Sequence, residues 1–165
     1  MDNIYIPIKR RFVYLACIVY WFARWVLAWR LSITLEVNVC IEVVKEPLAG
    51  HDKPNIFNTY QGSRLTSIAF AQVLKDADIA ISMEGQKAWH DNVFVARLWH
   101  TNKYEEIYLH AYSNVPENCA AIGTFLGFYY YTRPHYSLDG QTPDQAYFMH
   151  FSQYRWSQNK GRAHL

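Results

Sequence analysis

The sequence is short of glycine and proline, with seven of the one and six of the other in 165 residues, and only 18% of it is charged. A disordered chain needs the opposite balance, and with half of the residues hydrophobic the chain must bury a core. At this length one domain is expected, burying roughly two thirds of the surface that the unfolded chain exposes. Cysteine is scarce too: Cys17, Cys40 and Cys119 lie far apart, without CxxC spacing. An odd number of such residues in apolar surroundings excludes a disulfide framework and reads as buried free thiols in a reducing, cytoplasmic setting. None of the seven histidines falls in a His-x-x-x-His or His/Cys cluster, which argues against zinc. Large charge of one sign is also missing. A net charge of +2 neither announces nor excludes a nucleic-acid partner.

No apolar run is long enough to cross a bilayer, which takes about 20 residues. Lys9-Arg10-Arg11 followed by Phe12–Ala23 imitates a signal peptide, but Arg24 interrupts the run and Trp25–Leu31 repeats its character at once. Two β-rich runs with a tight turn between them read as a hairpin. A small secreted or membrane-anchored protein is the competing expectation, and no membrane partner is expected.

What is abundant is aromatic and β-branched. Three strand-like runs open the chain, Ile4–Ile8, Phe12–Tyr20 and Trp25–Ser32, rich in residues that suit pleated strands. Helical spacing follows at Leu35, Val39, Val43 and Leu48, with Thr34 as cap, Gly50 as stop and Pro47 fraying the last turn. A short strand is expected at Asn55–Thr59, then a polar turn at Tyr60-Gln61-Gly62-Ser63. A helix over Thr66–Ala77 should turn Ile68, Phe70 or Ala71, and Leu74 inward. A strand at Ile79–Ser82, a loop over Met83–Asp91 and a long helix from Asp91 or Asn92 carrying Val95, Leu98 and Trp99 come next. Pro116–Tyr129 is the last helix, proline suiting a first turn. From Arg133-Pro134-His135 onward an irregular segment is expected, with Ser152–Leu165 a loose polar tail. This order predicts an α/β fold: a mixed sheet of three antiparallel strands and two short ones, flanked by helices.

Five stretches resemble the insertion-sequence transposases related to retroviral integrases. That family opens its core with Asp-x-Thr-Tyr on the first strand, where this chain has Asp2-Asn3-Ile4-Tyr5. Tyr14-Leu15-Ala16 through Phe22-Ala23-Arg24 to Trp29 is similar to the family's hairpin. Asn58-Thr59-Tyr60-Gln61-Gly62-Ser63 is similar to its second signature, and Asp91-Asn92 through Ala96-Arg97, Trp99 and Lys103 to its third. Arg133-Pro134-His135 and Thr142-Pro143 match its closing motif. The 35 residues between positions 60 and 96 equal the family's gap between its second and third acids. Lys103 follows Ala96 by seven residues, two helical turns, so the two should point the same way.

The resemblance implies an RNase H-like fold over residues 1–148, with 149–165 as a tail. It also implies three acids holding Mg²⁺ or Mn²⁺, and hard divalent cations do need oxygen donors. Two such ions about 4 Å apart clamp the attacking and leaving oxygens of phosphoryl transfer. By this alignment the acid positions are Asp2, Tyr60 and Ala96. Asp2 alone would read as an exposed acid at a frayed end, and only the resemblance makes it a metal ligand. A neutral tyrosine phenol is a poor Mg²⁺ ligand and alanine offers none. One carboxylate cannot hold two divalent ions, so no bound metal and no catalysis are expected, and the fold should stand without metal. Rescue by Glu84, Asp91 or Asn92 is the alternative, an active metal-dependent nuclease or strand-transfer enzyme with substitute ligands. DNA is the implied partner, contacted by Lys87, Arg97, His100 and Lys103, and a homodimer is compatible with it. The family's upstream helix-turn-helix region, which recognises the element's ends, is expected to lie outside this chain.

Overall fold

The computed structural model describes residues 1–9, 11–50, 53–60, 65–84, 93–107, 112 and 114–150. Strands β1 (Asp2–Ile8), β2 (Arg11–Tyr20) and β3 (Trp25–Ser32) form an antiparallel sheet in the order β1-β2-β3. The four-residue turn 21–24 joins the second hairpin and ends at Arg24 with φ 57°. Strand β2 is covered on both faces, which explains why it reads as an unbroken apolar run. Val13, Leu15 and Cys17 enter one core, whereas Ala16 and Ile18 enter the other, as a period of two requires. Phe12–Ala23 is therefore the central strand and its turn. Among the described residues no helix is long and apolar enough to cross a membrane.

Helices α1 (Val37–Gly50) and α2 (Ile68–Asp76) lie on one face, together with a two-stranded pair of β4 (Ile56–Tyr60) and β5 (Ala80–Glu84) that continues beside β1. Strands β4 and β5 pair in parallel, Ile56 opposite Ala80 and Tyr60 opposite Glu84. The Met1 nitrogen donates to the Asn58 carbonyl at 2.7 Å, so the start of β1 abuts β4. Helix α3 (Val93–Asn102), a π-helical turn (Lys103–Ile107) and helix α4 (Val115–Tyr131) cover the other face, where Leu98, Trp99, Ile122 and Leu126 pack on Ile4, Ile6 and Leu15. The result is three layers, helices on both faces of a mixed sheet.

Several elements differ from expectation. Helix α1 starts at Val37, three residues after the expected cap Thr34, whose backbone N–H donates to the Ser32 hydroxyl. Its buried face is Cys40, Val43, Val44 and Pro47, and Pro47 sits in the core without ending the helix before Gly50. Helix α2 is capped by Ser67, which accepts from Phe70 N, and buries Phe70 and Leu74. Ile68, expected inward, is 88% exposed, since it lies in the first turn and faces away from the sheet. Strand β5 runs on through Met83 and Glu84, placed in the loop by sequence because polarity rises there before the ladder ends. Helix α4 is capped by Asn114, which accepts from Glu117 N at 2.9 Å, with proline in its first turn as expected.

The C-terminal part is more ordered than expected. A 3₁₀ turn (Tyr136–Leu138) precedes helix α5 (residues 143–150), so a boundary after residue 148 falls inside a helix. Thr142 and Gln145 cap it reciprocally, the hydroxyl accepting from Gln145 N at 3.3 Å and the Gln145 amide oxygen from Thr142 N at 3.0 Å. Ala146 and Tyr147 pack against Ala23. Cys17 and Cys40 are buried, whereas Cys119 is exposed on α4, where its helical position faces solvent. The polar turn after Tyr60, the loop residues 85–92 with Lys87, the caps Asp91 and Asn92, and the tail from Ser152 lie outside the described residues.

Candidate functional site

Asp2 is the first residue of β1, opposite Cys17 in the ladder, and shares its face with Ile4 and Ile6. The exposed, frayed acid that the isolated sequence suggests is therefore replaced by a largely covered carboxyl, because β2 pins the strand and α3 lies over it. Its Oδ1 accepts from Asn3 N at 2.8 Å. Burial raises its pKa above the ordinary 3.8, against the smaller opposing pull of the Asn3 N–H, the Met1 ammonium, Trp99 and Lys103. The Trp99 indole lies close enough to favour the ionised form, yet its buried Nε1 makes no hydrogen bond of good geometry. Burial, followed by the charge of Asp2, pushes the Cys17 thiol far up, which leaves it unreactive.

Asp2 thus meets the α3 face that carries Trp99 and Lys103. Position 96 lies three residues before Trp99 and seven before Lys103, the spacing of one helix side. Tyr60 ends β4, two residues beyond the Asn58 carbonyl that holds Met1. Both are described by backbone alone. Lys103 opens the π-helical turn, a distortion frequent at functional sites.

The other expected DNA-contacting residues go elsewhere. Arg97 and His100 line a cleft of about 330 Å³ together with Arg24, Tyr129, Arg133 and His135. Residues 97 and 101 stand about 200° around the helix from Trp99, so this cleft opens on the far side of α3 from Asp2. Sequence reasoning grouped Arg97 with Lys103 and missed Arg24, Arg133 and His135 as partners. Arg133-Pro134-His135 was visible as a motif, but nothing local showed which helix it would meet.

A profile of the integrase core domain matches residues 1–87, more than half of the chain. The chain belongs to the integrase core domain family. A transposase for insertion sequence element IS629 from Shigella sonnei is 26% identical over 129 residues, covering 78% of this chain and 44% of that transposase. A transposase for element IS904 from Lactococcus lactis is 28% identical over 145 residues, covering 86% of this chain and 57% of the relative. This integrase core therefore spans about half the length of either transposase. Its fold matches solved retroviral cores at lower identity. The BIV integrase catalytic core has a TM-score of 0.69 at 13% identity over 92% of this chain and 95% of that one. The HTLV-2 catalytic core, solved in complex with magnesium as a dimer, has a TM-score of 0.61 at 17% identity, covering 88% and 91%. These likenesses establish the RNase H-like fold.

The metal implied by an integrase core can be tested against the residues present. Of the three positions expected from the resemblance to be acidic, 2, 60 and 96, only Asp2 carries a carboxylate. Among the described residues no group of three His, Cys, Asp or Glu is placed to hold a metal ion. Asp2 also has Lys103 and the Met1 ammonium as cationic neighbours. This donor set does not fit a pair of divalent ions, which need several oxygen ligands and their countercharge.

Two tyrosines of this integrase core are absorbed by packing. Tyr20 meets Tyr147 edge-on at 5.6 Å and its hydroxyl lies 3.2 Å from His150 Nδ1. Tyr130 lies against Trp25 at 4.5 Å. Burial first, and neighbouring Cys17 and tyrosines second, push its phenol far above the ordinary range.

Proposed function

We propose that this chain is a nucleic-acid-binding integrase core of the transposition machinery whose strand-transfer chemistry has been lost. The observation that carries this is the acid set itself, Asp2 with Tyr60 and Ala96, in a chain of the integrase core family. Clustered carboxylates repel one another when no metal is bound, so their loss removes catalysis without harming the fold. DNA is held through its phosphates by Lys103, Arg97 and His100, with Lys87 as a further contact outside the described residues. The core domain runs from residue 1 through helix α5 and acts in the cytoplasm, and self-association as a dimer is compatible with it.

The test is DNA cleavage and strand transfer with Mg²⁺ or Mn²⁺, comparing the protein with its Tyr60→Asp/Ala96→Glu form. The unaltered chain should be inactive and the double replacement should gain metal-dependent turnover. Turnover by the unaltered chain that disappears in Asp2→Ala would sink the proposal. The pairing of Tyr60 with Glu84 favours one alternative, an active enzyme with substitute ligands, because it puts an acidic residue on the strand position beside residue 60. In that case the activity should vanish in Glu84→Gln as well. DNA binding should weaken steeply with salt, and Lys103→Ala should reduce the slope of log affinity against log salt by about 1.

A further inference from the structure

We propose that the cleft lined by Arg24, Arg97, His100, Arg133 and His135 is a phosphate-binding pocket, separate from the Asp2 face, and that it holds a phosphate of a nucleic-acid strand. The assignment to a nucleic acid rests on the function proposed above, whereas the phosphate pocket does not. Three guanidinium groups converge there from the β2–β3 turn, α3 and the segment after α4, and no carboxylate is among the described residues lining the cleft. The Thr101 and Ser137 hydroxyls add neutral donors. A volume of about 330 Å³ is at the small end of ligand sites and suits one phosphate with its neighbouring sugar better than a folded partner.

The arginines are held in ways that serve an anion. Arg133 is ion-paired from the side by Glu105, which fixes its fork while leaving it at the cleft wall. Arg97 is exposed and makes no ion pair among the described residues. Arg24 occupies the left-handed region at φ 57°, a conformation that favours glycine or asparagine, so an arginine there carries backbone strain in delivering a cation to this spot. Burial, with Arg97 as a secondary cause, lowers the Arg24 pKa, and burial, then Arg24 and Arg133, lower that of His135. Cations held this close repel one another until an anion arrives, and a planar guanidinium matches phosphate oxygens in pairs. The buried His135 Nε2 has no hydrogen-bond partner.

Binding of inorganic phosphate, followed by ³¹P line broadening, and of a labelled single-stranded oligonucleotide, followed by anisotropy, tests this at low salt. Arg97→Ala should weaken phosphate binding about tenfold, the loss expected for a charge-assisted contact, and Arg97→Lys should recover part of it. Lys45→Ala, an exposed cation on α1, should leave phosphate binding unchanged. Circular dichroism confirms that each variant is folded. Absence of phosphate binding in the unaltered protein, or equal binding in Arg97→Ala, overturns the pocket even if the oligonucleotide still binds. Arg97-dependent phosphate binding without oligonucleotide binding keeps the pocket and overturns its nucleic-acid occupant.

Discussion

Adding magnesium tests the proposed loss of the metal site without relying on turnover. Asp2 is covered by Trp99 and already has Lys103 and the Met1 ammonium for countercharge, so a divalent ion arriving there meets one negative charge and two positive ones. The unaltered protein should therefore gain no stability from Mg²⁺ beyond what ionic strength gives. In the Tyr60→Asp/Ala96→Glu form two further carboxylates join Asp2. Without metal their repulsion costs on the order of 1–4 kcal/mol at separations near 4 Å, so this form should melt earlier in EDTA. With a dissociation constant of about 1 mM, Mg²⁺ at about 10 mM contributes RT ln 11, about 1.4 kcal/mol. For a domain of this size that is a rise in Tm of roughly 3–6 °C. Calorimetry or fluorescence-detected melting, with NaCl matched for ionic strength, reads both proteins. A rise of this size in the unaltered protein, or none in the doubly substituted one, would refute the account of the acid positions.

Asp2→Asn should stabilise the protein at neutral pH. A carboxyl whose folded pKa is raised contributes stability below its unfolded 3.8 that is lost as pH rises through the folded value. The neutral amide escapes that loss, so the gain in Tm should shrink as pH falls from the raised folded value to 3.8, and a gain that grows over that interval would contradict the burial of Asp2. Tyr130→Phe removes a buried hydroxyl without a partner and should raise stability by about 1 kcal/mol in urea unfolding, whereas destabilisation would reveal a hydrogen bond at that hydroxyl. Thr142→Ala breaks the reciprocal cap of α5 and should cost about 1 kcal/mol. An unchanged midpoint would mean that α5 adds nothing to the fold.

The architecture was legible because its signals are local. The β-branched and aromatic runs of β1 to β3, the proline at the start of α4 and the 35-residue gap between positions 60 and 96 can each be read along the chain. Where expectation failed, a non-local contact decided. Ile68 looks like a core residue by spacing alone, as Phe70 and Leu74 do, but the docking of α2 buries only the latter two. Pro47 reads as a helix breaker until the core that accepts it is known. The cap of α5 was present in the sequence as Thr142 and Gln145, three residues apart, and was passed over because the segment before it is irregular.

By itself the sequence determined the order of the strands and helices through α4 and the family to which the signatures belong, since periodicity and residue type are carried by neighbours in the chain. The tertiary structure alone decided that Asp2 is covered by Trp99 and Lys103, and that Arg24, Arg97 and Arg133 share a cleft on the other side of the same helix. Those residues are brought together by helix packing across a sheet. Burial and the summed field of separate charges are properties of that packing, which no stretch of sequence carries.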